Sequence, residues 1–135
     1  MTQGRINYLA ILCVVILHQI LGFLWYSPML FGNRWLMNVG KSMEELKASG
    51  ATPYIVAIVT VIVMCLVLTK LIHMTQTKTF VDGLKLGFLI WLGIAFPLLS
   101  IHYVFAGRTV EFLLIDAGHA LAGILIAGGI LAQWR

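Results

Sequence analysis

Four uninterrupted apolar runs, residues 6–26, 53–73, 81–106 and 110–134, divide this chain. At about 1.5 Å of rise per residue, an α-helix of that length crosses a hydrocarbon core of roughly 30 Å. Lipid offers the backbone no hydrogen-bond partners, so a spanning segment must satisfy its own peptide groups, which a helix does. The expected fold is all-α: a polytopic membrane protein with four transmembrane helices in an antiparallel bundle, residues 1–135 forming a single transmembrane domain. Composition points the same way. With 61% hydrophobic residues, 10% charged residues and a mean hydropathy of +0.99, the chain has too few charges to cover a soluble surface. Lys and Arg outnumber Asp and Glu nine to five, for a net charge of +4. These basic residues stand singly near helix ends and form no stripe, so the expected partner is the lipid bilayer, with no nucleic acid.

The ends of the runs carry local signals. Ser27-Pro28 stops the first, because proline lacks a backbone donor and disfavours helix in the residue before it. The run is too long for a cleaved signal peptide, and His18-Gln19 followed by Trp25-Tyr26 offers no small-residue cleavage site. Thr52-Pro53 opens the second run as N-cap and first helical residue. That run is rich in β-branched residues, but its unbroken length favours a helix. Pro97 should kink the third helix and free the carbonyl one turn earlier. The fourth run carries Gly118 and Ala122, Gly123 and Ala127, and Gly128 and Ala132, each pair four apart, and Gly83 and Gly87 notch the third. Small residues at this spacing let helices approach closely in lipid, which should make the fourth helix the most buried. Cys13 and Cys65 lie in apolar runs and read as small buried hydrophobes.

Trp25, Tyr26 and Trp134 fall at run ends and read as interfacial anchors, with Tyr8, Tyr54 and Tyr103 in similar positions. Only Trp91 is central. Residues 27–52 form a surface segment in which Ser42-Met43-Glu44-Glu45 is a capping box for a short helix that Gly50 can stop. The other two connections are short, so consecutive helices should be antiparallel neighbours. Side A holds both termini and the second-to-third connection; side B holds the other two connections. Side A carries Arg5, Lys70, Lys78, Lys85 and Arg135, and side B Arg34, Lys41, Lys47 and Arg108. The five-to-four excess is a weak bias that favours both termini in the cytoplasm, with insertion in both orientations as the alternative. There is also an internal echo: Tyr26 with Phe31-Gly32-x-Arg34, and Tyr103 with Phe105-Ala106-Gly107-Arg108. Both stretches leave the membrane on side B at the end of an odd-numbered helix, as two hairpins related by an axis along the membrane normal would.

From Gly22 through Trp25-Tyr26-Ser27-Pro28 and Phe31-Gly32 to Trp35, and again from Phe105 to Arg135, the chain resembles the bacterial family catalogued as domain of unknown function 1761. The likeness covers nearly the whole chain, and Trp-Tyr-Ser-Pro is its most specific part. It implies a small four-helix protein of the bacterial inner membrane and brings no established activity.

Ionisable side chains within a bilayer cost at least a few kcal/mol each. His18 and Gln19 lie midway along the first run, His102 near the side-B end of the third, and Asp116 and His119 one to two turns into the fourth from side B. Together they make a candidate intramembrane polar site, with Arg108 and Glu111 as surface charges above it. Asp116 and His119, at i and i+3, share a face, and His18 should approach them from the first helix. One reading is interhelical glue, in which Asp116 pairs with His119 or Arg108. The sharper reading is a proton- or solute-handling site open to side B, since histidine changes charge near neutral pH. Metal ligation by His18, His119, Asp116 and His102 has no supporting spacing, so no metal or other cofactor is expected. Ser27 has no evident base, and phosphate loops, Cys-x-x-Cys and paired acidic motifs are missing, so an enzyme is not expected. Two functions remain: permeation or proton-linked transport of a small solute of unknown identity by a homo-oligomer, or a structural or accessory role binding another membrane protein or lipid.

Overall fold

The computed structural model describes residues 4–134; Arg135, counted above with the side-A charges, lies outside the described residues. The order is α1 (Tyr8–Trp25), α2 (Gly32–Val39), α3 (Met43–Lys47), α4 (Thr52–Met74), α5 (Phe80–Ile90), a π-helical turn (Trp91–Ala95), α6 (Phe96–Phe105) and α7 (Val110–Gln133). The π-turn joins α5 and α6 into one span, Phe80–Phe105, so four helices are long and apolar enough to cross a membrane. This is an integral membrane protein.

Three of the spans start on side-chain caps. Asn7 accepts from the Ala10 amide at 3.0 Å, Thr79 from Asp82 at 3.1 Å and Thr109 from Phe112 at 3.1 Å. Each satisfies an otherwise orphaned N–H of the first turn. α4 departs from expectation by one residue: Thr52 is its first helical residue, Ala51 is the N-cap, and no side chain caps the end. The Ser42–Glu45 capping box is present with both reciprocal bonds. The surface segment holds a second helix as well, because residues 32–39 close into α2 before Gly40 ends it in the left-handed conformation at φ +74°. α2 packs on α7.

Pro97 acts through the turn before it. Its ring would crowd the carbonyl four residues earlier, and it has no N–H to offer that carbonyl. The helix widens there, with the Phe96 N–H bonded to the Trp91 carbonyl five residues back. The discontinuity expected from the proline therefore takes the form of the π-turn.

α7 is the hub. In its apolar stretch 44% of residues are buried, against 6% in the third span, and it packs against α1, α4, α5 and α6. The expectation that consecutive helices are neighbours fails for the middle pair: the third span packs chiefly on α7, and α4 packs on α1 and α7 alike, rather than on one another. The reason lies in the glycines. A Cβ at Gly87 would stand 2.8 Å from the Ile124 carbonyl oxygen, and one at Gly83 would strike the Gly128 backbone, so α5 and α7 meet backbone to backbone. That contact makes α7, rather than α4, the close neighbour of the third span. Across it, Ala10, Ile11 and Val14 of α1 and Val61, Cys65, Leu68 and Ile72 of α4 form the dry core with Ala127, Leu131 and Ala132.

Candidate functional site

The side-B half of α7 is built differently from the dry half. Asp116 is half-buried, and each of its two carboxylate oxygens accepts a phenolic hydrogen bond. Tyr26, at the end of α1, donates at 2.6 Å, and Tyr103 of α6 donates to the other oxygen. The two tyrosines of the internal echo thus converge on one carboxylate. Tyr26 and Trp25 were expected at the lipid interface; they turn inward instead. Trp25 gives its indole N–H to the Ile115 carbonyl at 2.9 Å, and its ring lies over Gly118, where a Cβ would come within 2.9 Å of it. Trp134, the third expected anchor, is exposed at the side-A end, its carbonyl accepting from Asn7 at 3.2 Å.

One turn deeper, His119 meets His18 edge to face, with centroids 5.2 Å apart. The Tyr26 ring is 5.2 Å from His119 and the Trp25 ring 6.3 Å from it. Two glycines seat the histidines. A Cβ at Gly123 would be 2.5 Å from His18 Nε2, and a Cβ at Gly22 would be 3.5 Å from His119 Nε2. α1 and α7 run antiparallel, so His18-x-x-x-Gly22 and His119-x-x-x-Gly123 pair reciprocally, each imidazole over the other helix's glycine. This repeated His-x-x-x-Gly could have been read from the sequence. His119 Nε2 is buried and has no hydrogen-bond partner.

Toward side B the cluster is covered. Arg34 of α2 meets Glu111 at 2.5 Å, Asn38 donates to the same carboxylate at 2.8 Å, and Thr109 donates to Asn38. Trp35 lies edge to face between Tyr26 and Phe112, at 5.4 and 6.2 Å. Beside this cap lies a surface cleft of about 510 Å³ lined by Trp25, Phe31, Arg34, Glu111, Leu114 and Ile115.

The structure brings together His18, Asp116 and His119, with Glu111 above them. Three other candidates lie apart. His102 is exposed on α6, and its neighbour Tyr103 takes the inward position. Gln19 is half-buried, its amide nitrogen without a partner, and no hydrogen bond or ring contact joins it to the histidines. Arg108 is exposed, with its guanidinium 5.5 Å above the Phe112 ring, so it meets an aromatic face rather than Asp116. Tyr103, Trp35, Asn38 and Arg34 are the members that sequence reasoning missed. Trp91, the one central tryptophan, donates to the Ala117 carbonyl at 2.8 Å and pins the π-turn to α7.

Chemically, the arrangement is a file of polar groups descending α7 from the surface: Glu111, Asp116, His119, then His18 across from it. It can hold and pass a proton, or hold a small polar molecule.

No curated protein and no solved structure matches the chain. The family described as "Protein of unknown function (DUF1761)" matches residues 9–132, from the first turn of α1 to the last turn of α7, and the chain belongs to that family.

Proposed function

We propose that this protein handles protons within the side-B half of the membrane, as part of proton-linked transport of a small solute. The observation that carries the reading is the orphaned His119 Nε2, buried between the tyrosine-bound Asp116 and His18. An unpaired polar atom at that depth is costly; Gln19 Nε2 and Thr69 Oγ1 are unpaired as well, and of the three His119 is the one whose side chain can take up a proton. A protonated imidazole would place a charge one turn from Asp116, and the file above it leads to Glu111 at the surface. α7 fills the centre of a single copy, so a solute pathway runs between copies in a homo-oligomer. The membrane is the cell inner membrane with both termini cytoplasmic, and the protein catalyses no covalent reaction.

The test is proton flux into proteoliposomes that enclose a pH-sensitive dye. Wild type should acidify or alkalinise the lumen under an imposed gradient, and His119→Phe and Asp116→Asn should abolish the signal while the protein stays folded. A wild-type protein that reconstitutes intact and gives no more flux than empty liposomes overturns the reading.

The competing role is structural or accessory. It is supported by the third span, whose outward face is almost wholly uncovered by the rest of the protein and is available to a membrane partner.

A further inference from the structure

Because α4 and the third span both lean on α7, a groove remains between them. It has a volume of about 260 Å³ and is open rather than enclosed. Its lining includes Thr60 and Met64 of α4, Trp91 of the π-turn, Ala120 of α7, and both His18 and His119. Trp91 lies near the middle of a span of 26 residues, and Thr60 is eight residues from the start of α4, so the mouth faces the acyl chains rather than either aqueous surface. Anything that enters must come from the lipid.

Three features narrow the occupant. The lining is mixed: apolar walls end on two imidazoles that make no hydrogen bond among the described residues, which an acyl chain would leave unused, while the Trp91 N–H and the Thr60 hydroxyl are already given to the Ala117 and Val56 carbonyls. The volume lies below the 300–1,000 Å³ or so of sites that enclose a drug-sized ligand, so a single ring fits and a tail must stay outside. A whole helix, about 10 Å across, is too wide for a space of this size. Trp91, His18 and His119 all contribute to the lining, and Trp91 already packs on Phe88 and Phe96, so an aromatic or quinonoid ring entering here meets other rings, offset or edge to face. Neutral imidazole offers one donor and one acceptor, so it can serve a ring carbonyl as donor or a ring hydroxyl as acceptor. We propose that this groove binds the ring of a lipid-soluble quinone or phenol, with its tail left in the bilayer. The site shares its histidines with the proton reading but does not rest on it, because a ring binds whether or not a proton moves.

The experiment measures tryptophan emission of the full chain in lipid nanodiscs during titration with a decyl-substituted benzoquinone. Wild type should show saturable quenching above that from simple partition into lipid. Ala120→Leu narrows the groove from its floor, and Thr60→Phe from its exposed lip; each should weaken the saturable phase about tenfold or more. Thr60 is exposed, so its variant folds even where the α7 variant does not. Quenching that rises linearly in wild type, or a saturable phase that Thr60→Phe leaves unchanged, overturns the proposal. So does near-complete disulfide cross-linking of Thr60→Cys copies in a background with Cys13 and Cys65 replaced, which would show that a second copy fills the groove. The imposed gradient is absent throughout, so failure here leaves the flux result standing, and failure of the flux leaves this binding result standing.

Discussion

The two halves of α7 solve one problem in opposite ways. Toward side A, from Gly123 to Ala132, the helix presents glycines and alanines, and its partners come close enough that backbone touches backbone. Toward side B, from Glu111 to His119, it presents two carboxylates and an imidazole, and its partners come with hydroxyls, indoles and a second imidazole. The first half is held chiefly by close contact, and at Gly128 an added atom would meet backbone. The second is held by directed hydrogen bonds whose donors and acceptors can be exchanged. In lipid there is little hydrophobic drive between helices, so close packing and polar pairing are the two main means of association. This chain places them end to end on one helix, which leaves the polar half free to be adjusted while the dry half keeps the bundle together.

The largest expected effect breaks the dry half. At Gly128 an added side chain meets the Gly83 backbone, which has no rotamer to yield. Gly128→Leu should cost about 3 kcal/mol or more in equilibrium unfolding in mixed micelles, or prevent folding altogether. A variant that unfolds like wild type would show that the close α5–α7 contact is dispensable.

Gly123→Ala tests the junction between the halves. Its new methyl would collide with the His18 ring, a side chain that can rotate away. The expected cost is about 1–3 kcal/mol, smaller than at Gly128 because the obstacle is movable. The distinguishing observation is His18 itself, whose imidazole resonances should shift away from those in contact with His119. Unchanged resonances would place His18 elsewhere.

Within the polar half, Asp116→Asn keeps the shape but replaces one acceptor oxygen with an NH₂ group, leaving one tyrosine hydroxyl poorly served. A loss of about 1–2 kcal/mol is expected, with Tyr26→Phe giving a similar loss and the double variant little more than either alone. Fully additive losses would mean that the carboxylate and the phenol act independently.

What the sequence made legible follows the same division. The four spans were legible because length and apolarity are local properties, and their ends agree with the structure to within a residue or two. The Ser42 capping box was legible because both its bonds close within three residues. The glycine spacings announced close packing but not the partner: Gly118 and Gly123 turn to α1, while Gly128 turns to α5. The inward turn of Tyr26 and Tyr103 was hidden, because a tyrosine at a run end reads the same whether it faces headgroups or a carboxylate from a distant helix. Only the echo between the two stretches hinted at it. α2 was missed because Phe31 and Gly32 begin it without a side-chain cap, and the π-turn because a proline's effect on the preceding turn depends on what α7 offers Trp91.

The smallest effect on stability should come from the lid over the polar half, and it sharpens the comparison most. Arg34 and Glu111 are both substantially exposed, with side chains 62% and 41% accessible. An ion pair in that setting is screened by solvent and adds little to folding. Arg34→Ala should therefore leave the unfolding transition where it is. Its consequence lies in access. Arg34 and Asn38 hold α2 to the Glu111 carboxylate, and α2 carries Trp35 over Tyr26 and Phe112. With the guanidinium gone, Asn38 alone makes that link to Glu111, and α2 should lift more often. The cleft beside Trp25 should then widen toward water. Acrylamide quenching of tryptophan emission should rise in Arg34→Ala and further in the Arg34→Ala, Asn38→Ala pair, at unchanged thermal stability. Gly128→Leu, by contrast, should lose stability before it gains any selective exposure of Trp35. If the lid variants lose stability without added quenching, α2 is part of the scaffold and the polar half is no more adjustable than the dry one.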